Sequence, residues 1–336
     1  MSDEVISRHR NMREGLPTAL LGFLAIVLPA AITLNTVKHA GTLSITSTNP
    51  TPHGYTISLL LFIVPGAVLL QWLLRARNAP IERKAFFATL GAVFAVGAVL
   101  DFGFAHTFFK FPNTGATLGI RLPAFDIREG RWIGDVLPIE EFGFYAFGAF
   151  FMLATYVWAD LSWMPQRKFA KNPREWAAAL GEGPIFKFDW RVAIVGGGFI
   201  TFAIAYRELF VSGPGFPGYF IFLMCIGFIP TTMMFESAGP MVNWQAFTLM
   251  FAVLQLVSLI WEATLGVPYD WWNYHHDQMV GVFIDAWAKL PMESVLMWIL
   301  GGWATVIAYE QFRLIFHRAA LRESQKVTAP SAAAGG

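Results

Sequence analysis

The chain has 336 residues, 55% of them hydrophobic and only 14% charged, with a mean hydropathy of +0.50 and a formal net charge of +1. So low a charged fraction, combined with apolar runs long enough to cross a bilayer, excludes an ordinary soluble domain and reads as a polytopic membrane protein. The near-neutral charge gives no reason to expect nucleic acid, and the single cysteine, Cys225, excludes an internal disulfide or a cysteine-based metal cluster.

A charged start, residues 1–15, leads into an apolar run too long for the core of a cleaved signal peptide. Membrane spans are expected at 16–36, 55–75, 85–108 and 138–162, then at 190–210, 217–236, 242–264 and 290–312. A basic linker, 163–189, separates a first membrane unit, 16–162, from a second, 190–316. The remainder, 317–336, ends in a Pro/Ala/Gly-rich stretch and is expected to be a disordered tail. Period-two alternation is absent, and helices satisfy their own backbone polar groups, so the expected class is an all-α membrane bundle. An even number of spans per half makes its eight helices two parallel four-helix repeats. Seventeen Lys and Arg fall on the side of the N-terminus against six on the other. That asymmetry places both termini in the cytoplasm and the chain in the cytoplasmic (inner) membrane.

The repeat carries its own motif. Pro138-Ile139-Glu140-Glu141 and Pro291-Met292-Glu293-Ser294 each open a hydrophobic helix. Proline suits a first helical turn, and a glutamate there meets the positive end of the helix dipole. Helix-start electrostatics is therefore one reading of Glu140 and Glu293; duplication, with a second acid upstream in each half, favours proton chemistry on an apolar substrate. Those upstream acids, Asp101 and Glu262, lie near the outer ends of their spans, where ionisable groups face a bundle interior or a wet cavity. Aromatic residues beside the acids are candidate walls for a cation: Trp132, Phe142, Phe144, Tyr145, Trp261, Trp271, Trp272 and Tyr274.

Other features carry less. His275-His276-Asp277 lacks the i, i+4 histidine spacing of helical zinc sites and reads as a solvated loop, so no metal is expected. His106 is expected to be a satisfied interfacial histidine, with a relay beside Asp101 as the alternative. Arg207 and Glu208 are expected to pair with each other, and Glu236 and Glu310 to be interfacial. Gly196-Gly197-Gly198 mimics a dinucleotide fingerprint, but it lies within a span and reads as close helix packing. No aspartate-rich diphosphate box occurs and no span has a lysine at its middle, so no cofactor is expected.

The order acid, W-x-Y, loop glycine, then P-x-E-E at a helix start resembles the lycopene cyclase domain repeat of flavin-free membrane carotenoid cyclases. The second half carries it as Glu262, Trp272-Asn273-Tyr274, Gly281 and Pro291-Met292-Glu293, the first as Asp101, Phe109-Lys110-Phe111, Gly119 and Pro138-Ile139-Glu140-Glu141. The match covers 100–162 and 260–312. Two departures stand out: Ser294 replaces a second glutamate, and Phe109 and Phe111 replace Trp and Tyr. The resemblance implies proton-initiated, non-redox closure of a ring at the end of a linear polyene such as lycopene. It implies Glu140 and Glu293 as acid or base, Glu141 tuning them, and Asp101 and Glu262 supporting the pocket. A hydratase or isomerase using the same acids, and a proton-coupled transporter or lipid-binding membrane protein, are the alternatives. The expected partners are an isoprenoid substrate, membrane lipid and a second copy of the chain.

Overall fold

The computed structural model describes residues 51–75, 81–164, 171–181, 183–184 and 186–328. The expected span at 16–36, the charged start and the residues after 328 lie outside the described residues. In chain order the helices are α1 (Gly54–Arg75), α2 (Arg83–Phe108), α3 (Glu140–Ser162), the short α4 (Pro173–Leu180), α5 (Trp190–Phe210), α6 (Gly218–Met233), α7 (Phe235–Met241), α8 (Trp244–Gly266) and α9 (Met292–Thr328). Six of these are long and apolar enough to cross a membrane, and α6 with α7, bent by 41°, makes a seventh if the pair is one span. The chain thus reads as a mostly helical membrane protein. The expected tail differs from the structure: 317–328 continue α9 as helix. The expected linker likewise contains a folded helix, α4, started by Asn172 accepting from the Arg174 N–H with Pro173 behind it.

The bundle is not purely helical. Three two-stranded ribbons occupy the loops at one end: β1 (Phe109–Lys110) with β4 (Asn273–Tyr274), β2 (Arg121–Asp126) with β3 (Arg131–Pro138), and β5 (Phe283–Ile284) with β6 (Leu290–Pro291). Most of these strands are two residues long, too short for alternation to register in the sequence.

Small residues let the helices approach. A Cβ on Gly97 of α2 would lie 2.5 Å from the Tyr145 ring, and one on Gly66 of α1 would lie 2.7 Å from Phe150, both rings belonging to α3. Gly196 packs on Ile229, whereas Gly197 and Gly198 face open space, so only the first of the three glycines serves packing. At the centre Phe62 stacks on Trp298 at 5.8 Å and Phe144 on Trp261 at 5.7 Å, locking α1, α3, α8 and α9 together.

The opposite end is held by charge. Arg313 is buried and bridges Glu310 and Glu82, each at 2.8 Å, while His317 lies 3.1 Å from the other Glu82 oxygen. Tyr156 donates to Glu310 at 2.8 Å, and the Asn243 side chain donates to Asp160 at 2.9 Å. Glu310 is therefore no interfacial residue: it is fully buried, because Arg313 one turn later supplies its counter-charge. Glu236 does stand exposed, paired with Lys187 at 3.1 Å. Removing one partner of a buried pair leaves the other charge unpaired, so Arg313→Ala should destabilise the protein by about 3–5 kcal/mol. Thermal unfolding in detergent checks this, with Arg313→Lys expected between the two.

Candidate active site

The two copies of the motif fold alike. A π-helical turn begins at each upstream acid, Asp101–Ala105 in α2 and Glu262–Gly266 at the end of α8, and widens the helix there. Each loop then turns at a glycine in the left-handed region, Gly119 at φ +78° and Gly281 at φ +98°. The residue before each glycine donates its backbone N–H to the motif glutamate: Leu118 to Glu140 at 2.7 Å, Val280 to Glu293 at 2.5 Å. The residue after each proline closes the ring, with the Ile139 N–H on the Ile120 carbonyl and the Met292 N–H on the Val282 carbonyl, both 3.0 Å. Glu140 and Glu293 thus act first as anchors that satisfy loop backbone next to an apolar bundle.

The aromatic triplets of the two copies bond to each other. Phe109 pairs with Tyr274 and Lys110 with Asn273 in an antiparallel ribbon. The Asn113 N–H extends it to the Asp270 carbonyl at 3.0 Å and the His275 N–H to the Phe108 carbonyl at 2.8 Å. This ribbon brings the two helix openings, and their acids, to one end of the bundle. Asp101, Glu140, Glu262 and Glu293 are all buried.

The two acid sets are chemically unequal. Glu262 accepts from Tyr274 (2.6 Å), from the Trp298 indole (2.5 Å) and from Ser294. Ser294, standing where the motif has a second glutamate, thus supplies a donor that completes the Glu262 shell. In the first half Glu141 occupies that place and accepts instead from Tyr55, while Thr56 donates to Glu140 at 2.6 Å. Asp101 lies beside the Tyr145 hydroxyl, in the position Trp298 holds relative to Glu262, but its Oδ2 is buried with no hydrogen-bond partner. Glu141 is within electrostatic reach of Asp101, Glu140 and Glu262, so four acids, drawn from both halves, converge.

Among the described residues Asp101 lines a cavity. It opens into a chamber of about 440 Å³ between α2, α3, α6 and α9, beside Tyr145, Tyr219 and the rings of Phe104, Phe108, Phe144 and Trp298. A second chamber of about 930 Å³ lies between α5, α6, α8 and α9, with Phe, Met, Leu, Val and Ile walls.

The expected aromatic residues divide. Tyr145 lines the first chamber. Trp261, Trp271 and Trp272 are buried in a packed cluster with Tyr55, Trp261 and Trp272 lying 4.5 Å apart, while buried Tyr274 packs on Phe109 at 5.4 Å; none of the four lines either chamber. Phe142 packs on Phe102 at 5.2 Å. Trp132 is 59% exposed on the β2–β3 hairpin, away from any wall of the site. Tyr55 and Tyr219 were not foreseen: a single tyrosine near a span end looks like any interfacial belt residue. Arg207 does not pair with Glu208. It turns inward, donates to the Pro214 carbonyl at 3.2 Å and sits by Glu293.

Above the ribbon a polar clasp ties the hairpin to the second loop. Asp126 is held by Arg128 at 2.7 Å and lies 2.8 Å from His106 Nδ1, so His106 belongs to this clasp and not to Asp101. Burial works against the ionised form of Asp126, but the Arg128 and His106 hydrogen bonds outweigh it and hold the carboxyl well below its usual range. Arg128 also lies 2.9 Å from His275. Burial first, then the Arg128 and Lys110 charges, push the His275 pKa down to about 4.

No protein-family model, curated protein or solved structure matches the chain.

Two predictions follow from this geometry. Glu293→Ala should cost about 1–3 kcal/mol by stranding the Val280 N–H, whereas Glu293→Gln keeps an acceptor oxygen and most of the stability, as unfolding in detergent will measure. Because His275 is kept neutral in the fold but protonates near 6.5 when unfolded, its contribution is complete above that pH and is lost as pH falls toward about 4. The unfolding midpoint should thus drop more between pH 7 and pH 4.5 in the wild type than in His275→Gln.

Proposed function

We propose that this protein is a membrane-embedded isoprenoid cyclase of the lycopene cyclase kind, closing a ring at the end of a linear polyene without redox chemistry. The observation that carries the reading is Asp101, a buried carboxyl with an unpartnered oxygen opening into an apolar, aromatic-walled chamber. In the reaction the Asp101 carboxyl protonates a terminal trisubstituted alkene. The tertiary cation is attacked by an internal double bond, forming the ring C–C bond and moving the charge into the ring. Loss of a ring proton to the Asp101–Glu141 pair restores the acid, so product and substrate have the same composition. Ring faces of Phe104, Phe108 and Phe144 stabilise the passing cation, and the dry wall denies it water. Tyr145 orients Asp101.

The assignment moves the leading acid from Glu140 and Glu293 to Asp101, with Glu141 beside it. Glu262, saturated by three donors, and the loop anchors Glu140 and Glu293 are positioning residues. The matching loop geometry supports two parallel repeats with an additional span at 16–36, and the charge asymmetry supports placing the acids toward the extracytoplasmic side of the inner membrane.

The test is expression in a lycopene-accumulating bacterium, with pigments separated by chromatography and weighed by mass spectrometry. A product of unchanged mass and shortened chromophore is expected. A gain of water would identify a hydratase instead. Asp101→Asn should lower turnover by roughly 10²–10⁴-fold, the usual worth of a general acid, while the protein still inserts and elutes as a single species. Full turnover in Asp101→Asn would overturn the assignment.

A further inference from the structure

The two chambers are separated by one wall, formed where α6 lies against α9. On α6, Phe220, Met224, Phe228 and Thr232 recur every fourth residue and face the larger chamber, while Tyr219, Leu223, Gly227 and Thr231 face the smaller. On α9, Val295, Leu296, Ile299 and Trp303 face the larger, and Met297, Gly301, Ala304 and Ala308 the smaller. Among the described residues Leu300 alone lines both. It meets α6 at Gly227, where a Cβ would come within 3.3 Å of it. The wall is weakened there: Leu223–Phe228 form a π-helical turn, and Pro230 withholds a backbone donor from the same stretch.

The chambers differ in chemistry. The smaller holds Asp101, Tyr145 and Tyr219 at its loop end. The larger has no titratable side chain in its lining, and its one hydroxyl, on Thr232, has no hydrogen-bond partner. Apart from that hydroxyl and the indoles of Trp244 and Trp303 its lining is apolar, so a hydrocarbon chain suits it better than a polar head group.

We propose that Leu300, backed by Gly227, is a gate joining a reaction chamber to a tail chamber, so that the site takes an acyclic polyisoprenoid long enough to fill both. The reacting end lies by Asp101, and the unreacted remainder passes Leu300 into the apolar space between α5, α6, α8 and α9. The proposal rests on the reading of the smaller chamber as the reacting one, and it makes Leu300 a determinant of substrate length.

The experiment measures binding, not turnover. Full-length protein in lipid nanodiscs is titrated with tritiated squalene and with the shorter geranylgeraniol. Leu300→Trp should weaken squalene binding by at least about tenfold and change geranylgeraniol by no more than about twofold. Ile299→Trp, which fills the larger chamber and leaves Leu300 in place, should give the same pattern and serves if Leu300→Trp does not fold. Ala304→Trp, in the smaller chamber, should weaken both probes. Unchanged squalene binding in the folded tryptophan variants would mean that bilayer lipid occupies the larger chamber, and would overturn the proposal. Equal loss of both probes in Leu300→Trp would overturn it as well. Turnover of Asp101→Asn bears on the reaction alone, so the two readings fail separately.

Discussion

A loop that returns into the end of an apolar helix bundle must find acceptors for its own N–H groups, because neither lipid nor packed side chains supply them. Here a carboxylate meets that need twice. Glu140 takes the Leu118 N–H and Glu293 the Val280 N–H, each just before a glycine whose positive φ turns the chain back toward its proline. Two anchored loops then present matching edges, and the Phe109–Lys110 and Asn273–Tyr274 strands join them. These two carboxylate–backbone bonds hold the loops whose pairing brings the acids together at this end of the molecule.

From a nearly repeated plan the protein builds two different sites. Substituting Ser294 for a glutamate gives Glu262 a third donor and closes its shell. Keeping Glu141 in the first half gives Asp101 a second acid as its neighbour, and Asp101 has an oxygen without a partner, facing a cavity. A saturated carboxylate is a structural element, whereas an unsaturated one at a cavity wall is free to exchange a proton with what the cavity holds. The departure from the repeat thus separates a half whose upstream acid is saturated from a half whose upstream acid is not.

At the opposite end Arg313, Glu310, Glu82 and His317 tie α9 to the start of α2, with Tyr156 of α3 joining through Glu310. This network begins two residues beyond Ala308, the last α9 residue lining the smaller chamber, and fixes the helices whose other ends carry Asp101 and Glu141. For the proposed reaction, rigid positioning of both ends matters because a proton donor must stay within hydrogen-bond reach of its target.

Among the described residues the span positions, the duplicated motif and the burial of its acids were legible in the chain, because long apolar runs, helix-opening prolines and costly intramembrane carboxyls leave plain signals. Roles were not. Whether Glu293 anchors a loop or Asp101 faces a cavity depends on the direction of one side chain across a turn, and neighbouring helical residues differ by about 100°. The burial of Glu310 was invisible because its partner Glu82 comes from a distant helix, and Trp132 looked like a wall residue only by its nearness in sequence to Glu140. What composition and motif determined by themselves was a membrane bundle with acids repeated at matching places. Tertiary structure alone decided which acid meets empty space, since a cavity belongs to four helices at once and no local stretch of sequence encodes it.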